Sequence, residues 1–216
     1  MISIPRSLVA AAAAATLVSC SSMYYGMMES FGKEKRHIMV DRVEDVRDDQ
    51  EDAKEQFKTT LERFKELTGA DGGDHESIYA KLASDYEKCV ARADDVRDRI
   101  DSIQDVAEDM FDEWRDELEL FQNANNRANS EELLEETEAR YAKLYGVMRV
   151  AEEKMDPVLQ AFEDQVLSLK HGLNAKLVAS LQDTAIEIES DVAILIADME
   201  RSINEADEFI EGMSAS

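Results

Sequence analysis

The most constraining feature of this chain is the spacing of its apolar residues between positions 78 and 121. Ile78, Leu82, Tyr86 and Cys89 open a series that continues through Ala93, Val96, Ile100, Ile103, Val106, Met110, Trp114 and Leu118 to Phe121, in steps of three and four. Such steps place the side chains on one face of an α-helix, whereas a strand requires alternation by two. The series predicts a helix over His75–Phe121, about 70 Å long at 1.5 Å per residue. Breakers are scarce: 216 residues include only two prolines and eight glycines. A single apolar stripe is stable only when another element covers it, so the chain must fold as several helices packed together.

Three further segments carry the same pattern. The first runs from about Tyr24 to Thr68, with Phe31, Ile38, Met39, Val43, Val46, Ala53, Phe57, Leu61, Phe64 and Leu67 inward. Its middle, Asp45 to Gln56, is almost entirely polar, which predicts thin packing and the most solvated turn of the bundle. Gly69-Ala70-Asp71-Gly72-Gly73-Asp74 breaks the pattern, with Gly69 suited to a left-handed cap and Asp74 to capping the next helix. Gln122 to Asn129 reads as an Asn-rich loop. A third helix begins near Glu131 and carries Leu134, Thr137, Tyr141, Leu144, Met148, Ala151, Met155, Leu159, Phe162, Val166 and Leu169 on one face. Pro157 should kink it, or Asp156-Pro157 should start a new helix.

Lys170-His171-Gly172-Leu173-Asn174 admits two readings. In one, two basic residues end a helix beside its negative dipole, Gly172 takes the left-handed position of a Schellman cap, and Asn174 caps a fourth helix from Ala175 to Glu211. In the other, the stripe runs on through Leu173, Leu177 and Leu181 as one very long C-terminal helix. The expected fold is therefore all-α, a long antiparallel bundle or coiled coil. Four helices are favoured and three are the alternative. Inward positions on the fourth segment are Leu181, Ile188, Val192, Leu195, Met199, Ile203 and Ile210, and Gly212 to Ser216 forms a disordered tail.

The start of the chain has a different character. Arg6 precedes an apolar run from Ser7 to Val18, which is shorter than the roughly 20 residues needed to cross a bilayer. That is the layout of a secretory signal over residues 1–19. Leu17-Val18-Ser19-Cys20 resembles the lipobox of bacterial lipoproteins. The resemblance implies cleavage before Cys20, diacylglycerol on its thiol and acylation of the new amine. With Ser21-Ser22 after the cysteine rather than aspartate, it also implies the outer membrane, facing the periplasm, over the inner one. Residues 20–32 are then the anchor junction and 33–211 the bundle domain. Tyr24 and Tyr25, followed by Lys33, Lys35 and Arg36, could meet the membrane surface. Equally, these aromatics could cap the bundle core and the bases pair with helix acids.

Charge and cysteine content narrow the partners. The chain carries 49 acidic and 24 basic residues, a formal charge of −25. Loss of Arg6 with the signal makes it −26. Like charges repel, so a nucleic-acid partner is not expected. Once Cys20 is lipidated, Cys89 is the single remaining thiol. An internal disulfide is then impossible, and its position on the stripe predicts a small buried residue.

Chemistry-bearing motifs are sparse. The Gly-x-x-x-x-Gly-Lys phosphate loop is missing, and none of the three histidines pairs with a nucleophile in the sequence. Glu34-x-x-His37 has the spacing of a di-iron ligand pair, but neither His75 nor His171 has the matching glutamate. Asp71 and Asp74 lack the spacing of an EF-hand. No catalytic residue, metal or cofactor is expected.

Several short stretches resemble an uncharacterised bacterial family of predicted lipoproteins, catalogued only as a domain of unknown function, number 2959. They are Tyr24-Tyr25-Gly26, Glu34-Lys35-Arg36, Val40-Asp41-Arg42-Val43-Glu44-Asp45, Phe111-Asp112-Glu113-Trp114, Leu169-Lys170-His171 with Leu173-Asn174, and Asp198-Met199-Glu200-Arg201-Ser202. The resemblance covers the chain from about Met23 to Ile210. It implies an exported, helical, often lipid-anchored protein and supplies no reaction. The chain ends in Gly212-Met213-Ser214-Ala215-Ser216, without the terminal lysine by which small murein lipoproteins join the wall. The expected function is non-enzymatic: a structural, adaptor or assembly role in the envelope, with an envelope protein partner or self-association. A binding module for divalent cations or a basic ligand on the acidic faces is the alternative.

Overall fold

The computed structural model describes residues 18–69, 75–172, 178 and 180–214, with side chains from Lys35 onward. Four long helices make up the fold: α1 (Val18–Gly69), α2 (His75–Leu118), α3 (Ala124–His171) and α4 (Gln182–Ser214). Cross-helix contacts fix their directions. Lys35 of α1 meets Glu113 of α2 at 2.9 Å, Arg99 meets Asp49 at 3.0 Å, and Arg92 meets Asp52 at 3.1 Å. As α1 numbers rise, α2 numbers fall, so the pair is antiparallel. Arg149–Asp101 and Tyr145–Gln104 give the same sense for α2 and α3. Arg47–Asp207, Lys54–Glu200 and Lys65–Glu189 give it for α1 and α4. Each helix packs on two neighbours, α1 on α2 and α4, and α3 on α2 and α4. The result is an up-down-up-down four-helix bundle.

The core follows the three-and-four rhythm. On α1 the stripe of buried positions is Met39, Val43, Val46, Gln50, Ala53, Phe57, Thr60, Phe64 and Leu67, with Lys54 and Thr68 buried beside it. On α4 they are Ala185, Ile188, Val192, Leu195, Met199, Ser202, Ala206 and Phe209. Strict alternation of four and three is the signature of knobs-into-holes packing. Each fully buried large apolar side chain contributes about 1.5–3 kcal/mol, which is why the stripe governs the fold.

Several expectations need correction. The stretch from Asp45 to Gln56 is not the most solvated turn. Gln50 has no exposure and Lys54 is buried, because both α2 and α4 cover this part of α1. Ile38 is exposed rather than inward, and Ile203 and Ile210 are only half-buried, while Ser202, Ala206 and Phe209 take the inward places. The asparagine run is not a loop: α3 starts at Ala124, and Asn123 Oδ1 accepts from the backbone N–H groups of Asn125 and Asn126. An Asn at the N-cap satisfies donors that a helix leaves open, so the polar run continues as helix. Pro157 lies inside a continuous α3 on its exposed side. There water can satisfy the carbonyl one turn back that Pro157 leaves without a donor.

α3 ends at His171, and α4 returns along it. The unbroken-helix alternative is excluded. The cap differs from the expected one: Gly172 has φ −178°, an extended rather than left-handed backbone, and its N–H donates to the Leu169 carbonyl at 3.2 Å. The expected caps at Asp74 and Asn174 lie outside the described residues. α4 is helical through Ser214, whose hydroxyl donates to the Ile210 carbonyl at 2.9 Å.

Candidate functional site

Leu17 of the expected lipobox lies outside the described residues. Val18, Ser19, Cys20, Tyr24, Tyr25 and Lys33 are on the α1 backbone, and their side chains lie outside them as well. The first described candidates are Lys35 and Arg36. Lys35 Nζ is 2.9 Å from Glu113 and reaches the Asp109 carbonyl at 3.5 Å. The Arg36 guanidinium lies over the Trp114 ring, 4.5 Å from its centroid.

The antiparallel register sets the level at which Arg36 lies. Arg47 pairs with Asp207, and α4 ends seven residues later, at Ser214. Because the helices are antiparallel, α4 stops near residue 40 of α1. Among the described residues, α1, α2 and α3 continue beyond that level. Trp114 is nonetheless only 8% exposed. Arg36 shields one face of its ring, and its indole N–H donates to Ser130 Oγ of α3 at 3.0 Å. A cation–π contact of this kind contributes about 0.5–2 kcal/mol. Burial pulls the Arg36 pKa below its usual value, against the pull of Glu117. Burial and the nearby Glu113 charge push the Glu117 carboxyl above the usual carboxylate range, opposed by Arg36 and Lys35. Phe111, Tyr141 and Tyr145 continue this aromatic layer, with ring centroids 5.6 and 5.8 Å apart.

Cys89 is fully buried, as its place on the stripe predicts. Its Sγ is 3.1 Å from Thr60 Oγ1, whose own proton goes to the Gln56 carbonyl at 2.9 Å. Burial pushes the thiol pKa up to about 12. A thiol held neutral in this way is a packing group rather than a nucleophile. His37 and His171 are exposed. Among the described residues there is no cluster of three or more side chains suited to a metal ion. No described helix is long and apolar enough to cross a membrane.

The α1–α2 seam escaped the sequence reading, because helix periodicity gives the face of a charge but not its partner. Here Arg99 reaches Asp45 and Asp49, and Arg92 reaches Asp52. Cations of α2 thus face carboxylates of α1 along the middle of the rod.

Comparison with known proteins adds one match. No curated protein and no solved structure matches the chain. A family model described as "Protein of unknown function (DUF2959)" matches residues 24–213, which takes in all four helices of the bundle. The chain therefore belongs to this family of proteins of unknown function.

Proposed function

We propose that the chain is an exported bacterial lipoprotein with a non-enzymatic structural or adaptor role. In this reading acyl chains on Cys20 hold it at the envelope, on the outer membrane facing the periplasm. Burying lipid CH₂ groups supplies about 0.8 kcal/mol each, so several chains give lasting attachment. Tyr24, Tyr25 and Lys33 stand close to that anchor, with Lys35 and Arg36 just beyond.

The observation that carries the reading is the rod itself. From Cys20 to Gly69, α1 runs for about 75 Å at 1.5 Å per residue. From Met39 to Leu67 the bundle interior is filled mainly by apolar side chains. Most described charged residues lie on the outer faces, and the chain as a whole carries 49 acids against 24 bases. Such an object holds an acidic surface at a set distance from its anchor and suits a protein partner or self-association.

In-cell crosslinking followed by affinity purification tests the reading, with a Cys20→Ser form run alongside. A discrete envelope partner captured only with the anchored form is the expected result. Native Cys20 lacking diacylglycerol by mass spectrometry would sink the anchor. With no partner in either form, the acid excess favours the second reading, a module for divalent cations or a basic ligand. That reading requires calcium to raise the Tm beyond a matched ionic-strength control.

A further inference from the structure

The sign of the α1–α2 seam reverses near its far end. Arg99 and Arg92 of α2 each meet an aspartate of α1. Further along, α1 presents a cation, Arg63, toward a stretch of α2 that carries Lys81 and Lys88. These three bases, with Ser77, Ser84 and Asp85, line an open groove of about 470 Å³. Lys81, Ser84 and Lys88 fall at helical spacing on one face of α2. The groove starts in the first turn of α2, where the helix dipole adds positive potential.

Among the described residues that line the groove, Asp85 is the one acid, and it is already engaged. Its carboxylate, 10% exposed, is 3.0 Å from Lys88 Nζ and 3.5 Å from Arg63 Nε. It therefore holds the two cations in place from behind. Glu66 takes an Nη1 proton of Arg63 from outside the groove. The buried Nε of Arg63 is turned to Asp85, which leaves its outer guanidinium N–H groups for a ligand, and Lys81 makes no ion pair among the described residues. Three bases against one lining acid leave the groove cationic on a chain of charge −25. At physiological salt the Debye length is about 8 Å, so acids farther away than that are largely screened.

We propose that this groove binds a phosphate group, with Lys81 and Lys88 as charge partners, Arg63 as a directional donor and the Ser84 hydroxyl completing the set. A tetrahedral oxyanion has enough acceptors for all four, and charge-assisted bonds of this kind are the strong ones. The group could come from free phosphate or from a lipid headgroup. The site does not depend on the proposed anchoring or adaptor role.

The test is calorimetric titration of the full chain with inorganic phosphate at constant ionic strength. A parallel arm uses phosphatidylglycerol vesicles against phosphatidylcholine vesicles. Lys81→Gln removes one charge-assisted bond and should weaken binding roughly tenfold. Lys81 is exposed and has no ion pair to lose, so far-UV circular dichroism should be unchanged. Lys154→Gln, on α3 outside the groove, should leave affinity unaltered. Saturable phosphate binding with this pattern supports the site and a soluble source. Vesicle binding that requires phosphatidylglycerol, is lost in Lys81→Gln and is displaced by phosphate supports it with a lipid source. No saturable binding in either arm, or binding equally affected by both substitutions, overturns it.

Discussion

On the α1–α2 seam, Thr60 enters the core with its polar atoms engaged; toward α4, Gln50 of the same helix enters it with none. Both are fully buried and both occupy stripe positions. The Thr60 hydroxyl donates to the Gln56 carbonyl at 2.9 Å, accepts from the Gln56 amide at 3.3 Å and touches Cys89 Sγ at 3.1 Å. The Gln56 amide also donates to the Asp85 carbonyl at 3.2 Å, tying the group to α2. Neither amide atom of Gln50 has a partner among the described residues, and Ser202 Oγ of α4 has none either. Interpolating between Arg47–Asp207 and Lys54–Glu200 puts Gln50 and Ser202 within one turn of each other. The Thr60 hydroxyl reaches back to its own helix, as a short hydroxyl side chain can, whereas the Ser202 hydroxyl makes no such bond. A long amide needs a partner across the seam. Buried polar groups are close to neutral when satisfied and costly when not. The Thr60 cluster should therefore support the fold, and the Gln50–Ser202 layer should weaken it while penalising other helix registers.

The largest expected effect concerns Cys89, the innermost member of the satisfied cluster. With its pKa near 12, its thiolate fraction at pH 8 is roughly a thousandfold below that of an ordinary cysteine. Native protein should react with a disulfide probe at least that much more slowly than urea-unfolded protein. Fast reaction in the native state would show that this seam opens readily and would break the comparison at its firmer side.

Substitutions of matched shape test the sign. Gln50→Leu removes two unsatisfied atoms and should raise stability by about 1–2 kcal/mol, read as a higher urea midpoint at unchanged m-value. Thr60→Val keeps the volume but removes three contacts and should lower stability by about 1 kcal/mol. If both lower it, Gln50 has a partner in solution and the two seams are alike. Ser202→Ala should follow Gln50→Leu in sign with a smaller shift, under 1 kcal/mol.

The smallest effect is a pH slope from Glu152, a second partly buried polar group. Burial pushes its carboxyl above the usual carboxylate range, with Arg149 at 2.7 Å opposing and Asp101 reinforcing. A raised folded pKa means that the folded state holds the proton more tightly. This contribution to stability is complete below the unfolded pKa, near 4.3, and is lost as pH rises through the folded value. Glu152→Gln should flatten the fall in the urea midpoint just above pH 4. An unchanged slope would assign that fall to the general charge of the rod.

The sequence determined the helices, because periodicity is local. Steps of three and four place Leu82, Cys89, Ile100 and Ile103 on one face whatever surrounds them, and all four are buried. It determined the break after Gly69 and the end of α3 at Lys170-His171 for the same reason. The family was legible in short linear stretches. Tertiary structure decided what depends on neighbours. Polar Gln50, Thr60 and Ser202 interrupt the apolar pattern, so their burial follows only from the helices that cover them. Arg36 shields Trp114 because antiparallel packing brings this turn of α1 over α2, which no residue near Arg36 encodes. Arg63, Lys81 and Lys88 form a cationic groove because antiparallel packing brings one base of α1 to two of α2. The physical reason is common to all three: a helix fixes the face of a side chain, while charge pairing and burial are set by the helix opposite.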